Sequence, residues 1–175
     1  MDDMLLNLVK NRHSTRSFTG ESIEDETIQK ILNIAMYAPS SWGGHPIEFV
    51  VIRDKNTLKE LARCKAMGAG PLVYSDVAIV VLTDKRNLEL WVEDASVAST
   101  YILLACEYYG VGACWIHMKD RKGHTKMAEE DIRDLLNIPD YYGILNAISL
   151  GVKKDNVYHE EIKIDTSKIH YEFHE

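Results

Sequence analysis

Ala38-Pro39-Ser40-Ser41-Trp42-Gly43-Gly44-His45-Pro46 is the stretch from which the rest of the chain can be read. It follows a run with Ile28, Ile31, Leu32 and Ala35 at helical spacing and precedes a strand-like run, Glu48-Phe49-Val50-Val51-Ile52-Arg53. Each proline turns the residue before it away from the helical region, so the chain is expected to be extended at both ends of the stretch. Gly43-Gly44 removes two side chains and lets backbone amides approach a ligand closely. A loop of this composition serves equally well as a plain connector. Its company favours a site: Arg12-His13-Ser14-Thr15-Arg16 lies upstream and Gly110-Val111-Gly112-Ala113-Cys114-Trp115-Ile116 downstream.

Upstream, Leu5, Leu6, Leu8 and Val9 predict a short first helix, with Met4 on its buried face. The cluster that follows offers two guanidiniums, an imidazole and a hydroxyl, a set suited to a phosphate. Its alternative is a solvated charged turn. Ser22 reads as the N-cap of the helix that reaches Ala35, with Glu24 and Asp25 complementing its positive end.

Downstream, residues 57–66 predict a short helix, and 67–71 a loop. Val77 to Leu82 is a continuous apolar run, expected to be a strand covered on both faces. Trp91 to Tyr109 is the longest helix candidate, apolar around most of its circumference and so placed at the centre of the core. Gly110 suits its C-terminal stop. A strand is expected over 112–117, a helix from Ala128 to Leu136, and a strand from Ala147 to Val152. Gly110 and Gly112 are not a dinucleotide fingerprint, which needs a third glycine and a preceding strand. From Glu160 to Phe173 apolar and polar residues alternate; such an arm is expected to lie on another surface, a second subunit.

A length of 175 residues fits one domain, residues 1–175, with a real core. Net charge is −7, with 20 Lys and Arg against 27 Asp and Glu, which argues against nucleic acid as a partner. No apolar run reaches membrane-spanning length, and the acidic start, Met1-Asp2-Asp3-Met4, does not resemble a signal peptide. Cys64, Cys106 and Cys114 are odd in number and lack a Cys-x-x-Cys pair. A disulfide framework or zinc site is not expected, and a reducing cytoplasm fits best. The histidines are too scattered to propose a metal site.

In order and spacing these pieces resemble the FMN-dependent nitroreductase family, from about Leu5 to Phe173. The match rests on Arg12-His13-Ser14-Thr15-Arg16, Ala38-Pro39-Ser40-Ser41, Glu93-Asp94 with Leu103-Leu104-Ala105, Gly110 to Ile116, and Ile148-Ser149-Leu150-Gly151. The resemblance implies an α+β fold, a mixed sheet surrounded by helices, in an intertwined homodimer with FMN at the interface. It implies that Arg12, His13, Ser14 and Arg16 hold the phosphate and ribityl chain. Pro39, Ser40 and Ser41 would then approach the flavin from the partner subunit. Trp115, Ile116 and His117 would lie near the ring through backbone groups, and Lys163 would complete the phosphate site. Residues 160–175 would be the arm packed on the partner.

The chain departs from the family where Gly43 stands for the usual Asn, His45 for the usual Gln, and Trp42 for a Gly. Gly43 is expected to open the pocket and His45 to tune the ring. The implied activity is ping-pong, two-electron reduction of a nitroaromatic or quinone acceptor by NADH or NADPH, the flavin carrying the chemistry without a catalytic side chain. Two alternatives remain: other flavin chemistry on the same scaffold, such as reductive dehalogenation or oxidation of a bound substrate, and a non-catalytic protein that stores FMN or senses redox state.

Overall fold

The structure, a computed structural model, describes residues 3–86, 88–154 and 162–174. The elements run α1 (Met4–Asn11), α2 (Asp25–Met36), β1 (Ile47–Ile52), α3 (Lys55–Arg63), α4 (Gly70–Tyr74), β2 (Val77–Asp84), α5 (Trp91–Tyr108), β3 (Val111–His117), α6 (Ala128–Leu136) and β4 (Tyr142–Val152). Single 3-10 turns lie at Ser41–Gly43 and Thr166–Lys168.

The four strands form one sheet in the order β1-β2-β4-β3, every neighbouring pair antiparallel. Among the described residues, the parallel contribution to the expected mixed sheet is a single bridge, Ser14 to Ala113, on the outer side of β3. β2 is buried along nearly its whole length, as its unbroken apolar run predicts. One face of the sheet packs through Ala78, Val80, Cys114, Ile116 and Ala147 onto Leu58, Leu61, Leu72 and Ile132 of α3, α4 and α6. The other packs through Val77, Ile79, Val81 and Ile148 onto Ile28 and Ile31 of α2 and Ala95 and Ile102 of α5. The result is an α+β sandwich of helix, sheet and helix.

Several local expectations are corrected. β4 begins at Tyr142 rather than Ala147. Register slips between Val81 and Leu82, so that Leu145 is an extra residue, a β-bulge. Its carbonyl accepts from the amides of Met118 and Lys119 at 2.9 and 3.1 Å, so the bulge ties β4 to the turn after β3. Within the expected loop 67–71, Gly70 and Pro71 open α4, where a proline lacking its N–H costs nothing. Ser22 does not cap α2; the cap residue is Glu24, and Ser22 points instead to Asp76 at 3.4 Å. That carboxylate also accepts from the Ile23 amide at 2.9 Å and from Arg53 at 2.8 Å, tying the start of α2 to the start of β2.

α1 forms as predicted, Asp3 accepting from the Leu6 amide at 3.0 Å, but the chain does not bury it. Met4 and Leu5 are 74% and 65% exposed, and Leu6 and Val9 are open as well. α5 covers its Ala95, Ala98, Ile102 and Ala105 side against the sheet and α2, whereas Tyr108 on its far side is exposed. The expected arm falls partly outside the described residues, which omit Glu160, Glu161 and Glu175. From Ile162 to His174 it is exposed throughout, with Ile162, Ile164, Tyr171 and Phe173 uncovered, and it forms no strand.

Candidate functional site

The Arg12–Phe18 segment lies along the outer edge of β3 because two glycines leave room for it. A Cβ on Gly112 would stand 2.8 Å from Thr15 Cγ2, and one on Gly151 would stand 2.5 Å from the Phe18 ring. Thr15 and Phe18 are buried there, while Arg12 and His13 are half-buried and Ser14 and Arg16 exposed. The Thr15 amide donates to the Ala113 carbonyl at 2.9 Å and Phe18 bridges to Lys153, so the segment is clamped at both ends. Arg12 ends α1 as its C-cap, His13 Nδ1 sits 3.0 Å from the Asn11 carbonyl, and Arg16 donates to the Ser14 carbonyl at 3.3 Å. The basic cluster is thus displayed on a fixed backbone.

β3 is an edge strand, so alternate residues turn their N–H and C=O groups away from β4. Trp115 and His117 are half-buried on one face, their rings stacked at 6.3 Å, while Ile116 is buried on the other. Burial first, then the nearby Arg121, Lys65 and Lys119 cations, hold the His117 imidazole below its ordinary value, so it is neutral at neutral pH. Burial and Arg121 likewise lower Lys65. Burial raises all three thiols, Cys64 to about 11, so none is a thiolate nucleophile.

Lys65 and Arg121 escaped the sequence reading. They stand 56 positions apart, Lys65 just past α3, which ends at Arg63 and not at the expected residue 66, and are brought together where the Ala66 amide donates to the Lys122 carbonyl at 3.0 Å. No local pattern signals that juxtaposition.

The Pro39–Pro46 loop is fixed elsewhere. Ser41 donates its amide and hydroxyl to Asp94 Oδ1 at 2.8 and 2.9 Å, and the His45 amide donates to Ser40 Oγ at 2.9 Å. Asp94 is buried in the first turn of α5, and its second oxygen has no hydrogen bond among the described residues. Pro39, Gly43 and His45 are exposed. Gly43 has φ 63°, a left-handed value that asparagine also tolerates.

The two segments lie far apart within one chain. The loop leads into β1 at one edge of the sheet, and the basic cluster lines β3 at the other, three strand spacings or about 14 Å away. Along α5 the loop is tied to Asp94, whereas Lys153, beside Phe18, pairs with Glu107 at 2.8 Å; those anchors are roughly 20 Å apart. Lys163 is exposed and, among the described residues, makes no ion pair or hydrogen bond that joins it to Arg12 or Arg16.

The sequence profile of the Nitroreductase family matches residues 9–69 and 74–152, spanning both segments. The chain belongs to the nitroreductase family. It is 34% identical over 173 residues to an Archaeoglobus fulgidus protein described as an NADH dehydrogenase/NAD(P)H nitroreductase, covering 95% of this chain and 97% of that one. Among solved structures it is similar to an FMN-dependent nitroreductase of Clostridium difficile R20291, with TM-score 0.90, 34% identity, and coverage of 96% and 99%. A Parabacteroides distasonis protein described as an NADH dehydrogenase/NAD(P)H nitroreductase matches with TM-score 0.89, 30% identity, and coverage of 98% and 99%.

An FMN site must accommodate a dianionic phosphate, and the cations here suit one. Arg12, Arg16, Lys65 and Arg121 form no ion pair among the described residues, in a chain whose net charge is −7. Arg16 and Lys65 act on Cys114, and Lys65 and Arg121 on His117, so cations outside any ion pair among the described residues line the β3 edge past Ala113 and leave a place for an anion.

Proposed function

We propose that this nitroreductase binds FMN between two copies of the chain and passes electrons in pairs from NADH or NADPH to a small nitroaromatic or quinone acceptor. The observation that carries the reading is the positive charge gathered along β3 past Ala113, where Arg16 and Lys65 act on Cys114 and Lys65 and Arg121 on His117, none of them in an ion pair with a described residue. When bound, FMN supplies the two-electron chemistry between donor and acceptor.

The chain's own residues bind and orient. Arg12 and Arg16 pair with the phosphate, and Ser14 adds a neutral donor beside the ribityl chain, with His13 alongside. The outward backbone groups of Trp115, Ile116 and His117 line the ring, and neutral His117 offers one ring N–H without adding charge. Lys65 and Arg121 put positive charge where the ring gains electrons. Pro39, Ser40 and Ser41 of the partner close the site, at the height set by Asp94. Gly43 leaves that side open, and His45 stands close enough in sequence to tune the ring. The bare face of α1 and the exposed apolar residues of 162–174 dock on the second copy, carrying Lys163 towards the phosphate. Donor and acceptor then take turns at one place, a ping-pong order.

The test is the visible spectrum of the purified protein, followed by anaerobic NADH and NADPH and then menadione. A bound flavin that bleaches with either donor and recovers with menadione, together with parallel double-reciprocal plots, is expected. A protein that takes up no FMN, or whose flavin neither donor reduces, contradicts the proposal.

A further inference from the structure

Trp42 combines two features that seldom meet. Its φ is 57°, in the left-handed region that bulky side chains avoid, and its side chain is 99% exposed. Exposure means that no contact within the chain compensates the strain. Nor is the conformation loose. The Gly43 and Gly44 amides donate to the Ser40 and Ser41 carbonyls at 3.0 and 3.1 Å, while Ser41 is latched to Asp94 and the His45 amide to Ser40. Hydrogen bonds on both sides of Trp42 therefore hold the strained residue and aim an indole outward. Glycine would occupy this backbone without strain. A strained residue that the surroundings over-determine marks a functional position.

We propose that Trp42 is a specificity-determining residue: its indole stacks on the planar, conjugated acceptor while the acceptor lies at the flavin of the partner subunit. This rests on the proposed reading, in which Pro39–Ser41 approach that flavin. The chemistry fits the class of substrate, because an electron-rich indole face prefers an electron-poor ring such as a quinone or nitroarene in an offset stack. A compact inorganic acceptor has no face to offer and gains nothing from the indole.

The experiment compares wild type with Trp42→Phe, Trp42→Ala and Trp42→Gly, each loaded with FMN. It reads KM for menadione against KM for ferricyanide, and the dissociation constant of benzoate, a planar ring that cannot be reduced. In Trp42→Ala and Trp42→Gly the menadione-to-ferricyanide KM ratio and the benzoate constant should rise roughly three- to tenfold, while Trp42→Phe stays near wild type. Trp42→Gly should melt no lower than wild type, since it relieves the left-handed strain. An unchanged ratio with an unchanged benzoate constant overturns the proposal, and so does loss of the dimer in Trp42→Ala by ultracentrifugation, which would make the indole an interface residue. A wild type that holds FMN and turns over menadione while the ratio ignores Trp42 refutes this inference alone. A wild type without flavin refutes the underlying function.

Discussion

Ser41 gives both its amide and its hydroxyl to a single oxygen of Asp94, at 2.8 and 2.9 Å, across 53 residues of sequence. This bond pair sets where the Ser40–Pro46 loop stands relative to α5. Asp94→Ala should cost about 2–3 kcal/mol, because it removes a charged acceptor and strands two donors. Urea unfolding measures that loss. Asp94→Asn keeps an acceptor oxygen and should lose less. Flavin affinity should fall in the same order, since the loop loses its fixed height.

In the proposed site, Arg12→Ala and Arg16→Ala would each remove a charge-assisted partner of the phosphate. Such bonds contribute about 1.5–3 kcal/mol, so FMN affinity should weaken roughly tenfold or more in each. Fluorescence titration of the apoprotein checks this, and unchanged affinity in both variants would remove the basic cluster from the site.

Gly151→Ala drives a methyl group to 2.5 Å from the Phe18 ring, and Gly112→Ala drives one to 2.8 Å from Thr15. The ring and the β-branched side chain both belong to the clamped Arg12–Phe18 segment. Either variant should lose about 1–3 kcal/mol by overpacking and weaken FMN together with stability. Gly43→Ala meets no atom within 4 Å, so any loss there should reflect its left-handed backbone alone.

Much of this was legible in sequence where one element satisfied its own pattern. Ile132, Leu135 and Leu136 ahead of Ile138-Pro139 placed α6 from Ala128 to Leu136, and Asn137 stops it in the left-handed region. The first half of β4 was not legible. The bulge at Leu145 breaks its two-residue period, and burial on both faces removes the polar alternation. α4 was hidden by the glycine and proline that start it. The apolar face of α1 was read as core because sequence shows that a face is apolar but not which surface covers it. In the site, the Arg12–Arg16 cluster announced itself by composition. Lys65, Arg121 and the hold of Asp94 on Ser41 exist only through tertiary contacts.

Asp76 ties the start of α2 to β2, and its titration should show in stability. Burial pushes its carboxyl up, but the Ile23 amide, Lys55 and Arg53 outweigh that and hold it below its ordinary value. A depressed carboxylate stabilises the fold fully above the unfolded value of about 3.9, and the contribution is lost as pH falls through the lower folded value. Wild-type stability should therefore drop below about pH 4 more steeply than that of Asp76→Asn. At pH 7 that variant should be less stable by about 2–3 kcal/mol. Parallel curves between pH 2 and 7 would mean that Asp76 is not the titrating group.

The measurement that bears most directly on a site shared between chains is complementation. One chain carries Arg12→Ala and Arg16→Ala, the other Asp94→Ala, and the two are unfolded together and refolded as a mixture. Each mixed dimer then has one site with every defect and one with none, because the intact cluster comes from one chain and the intact loop from the other. Purified mixed dimers should hold about half the wild-type flavin and regain about half its NAD(P)H–menadione activity, while both parent variants hold little. Mixed dimers no better than their parents would place cluster and loop at the same chain's flavin and contradict the account.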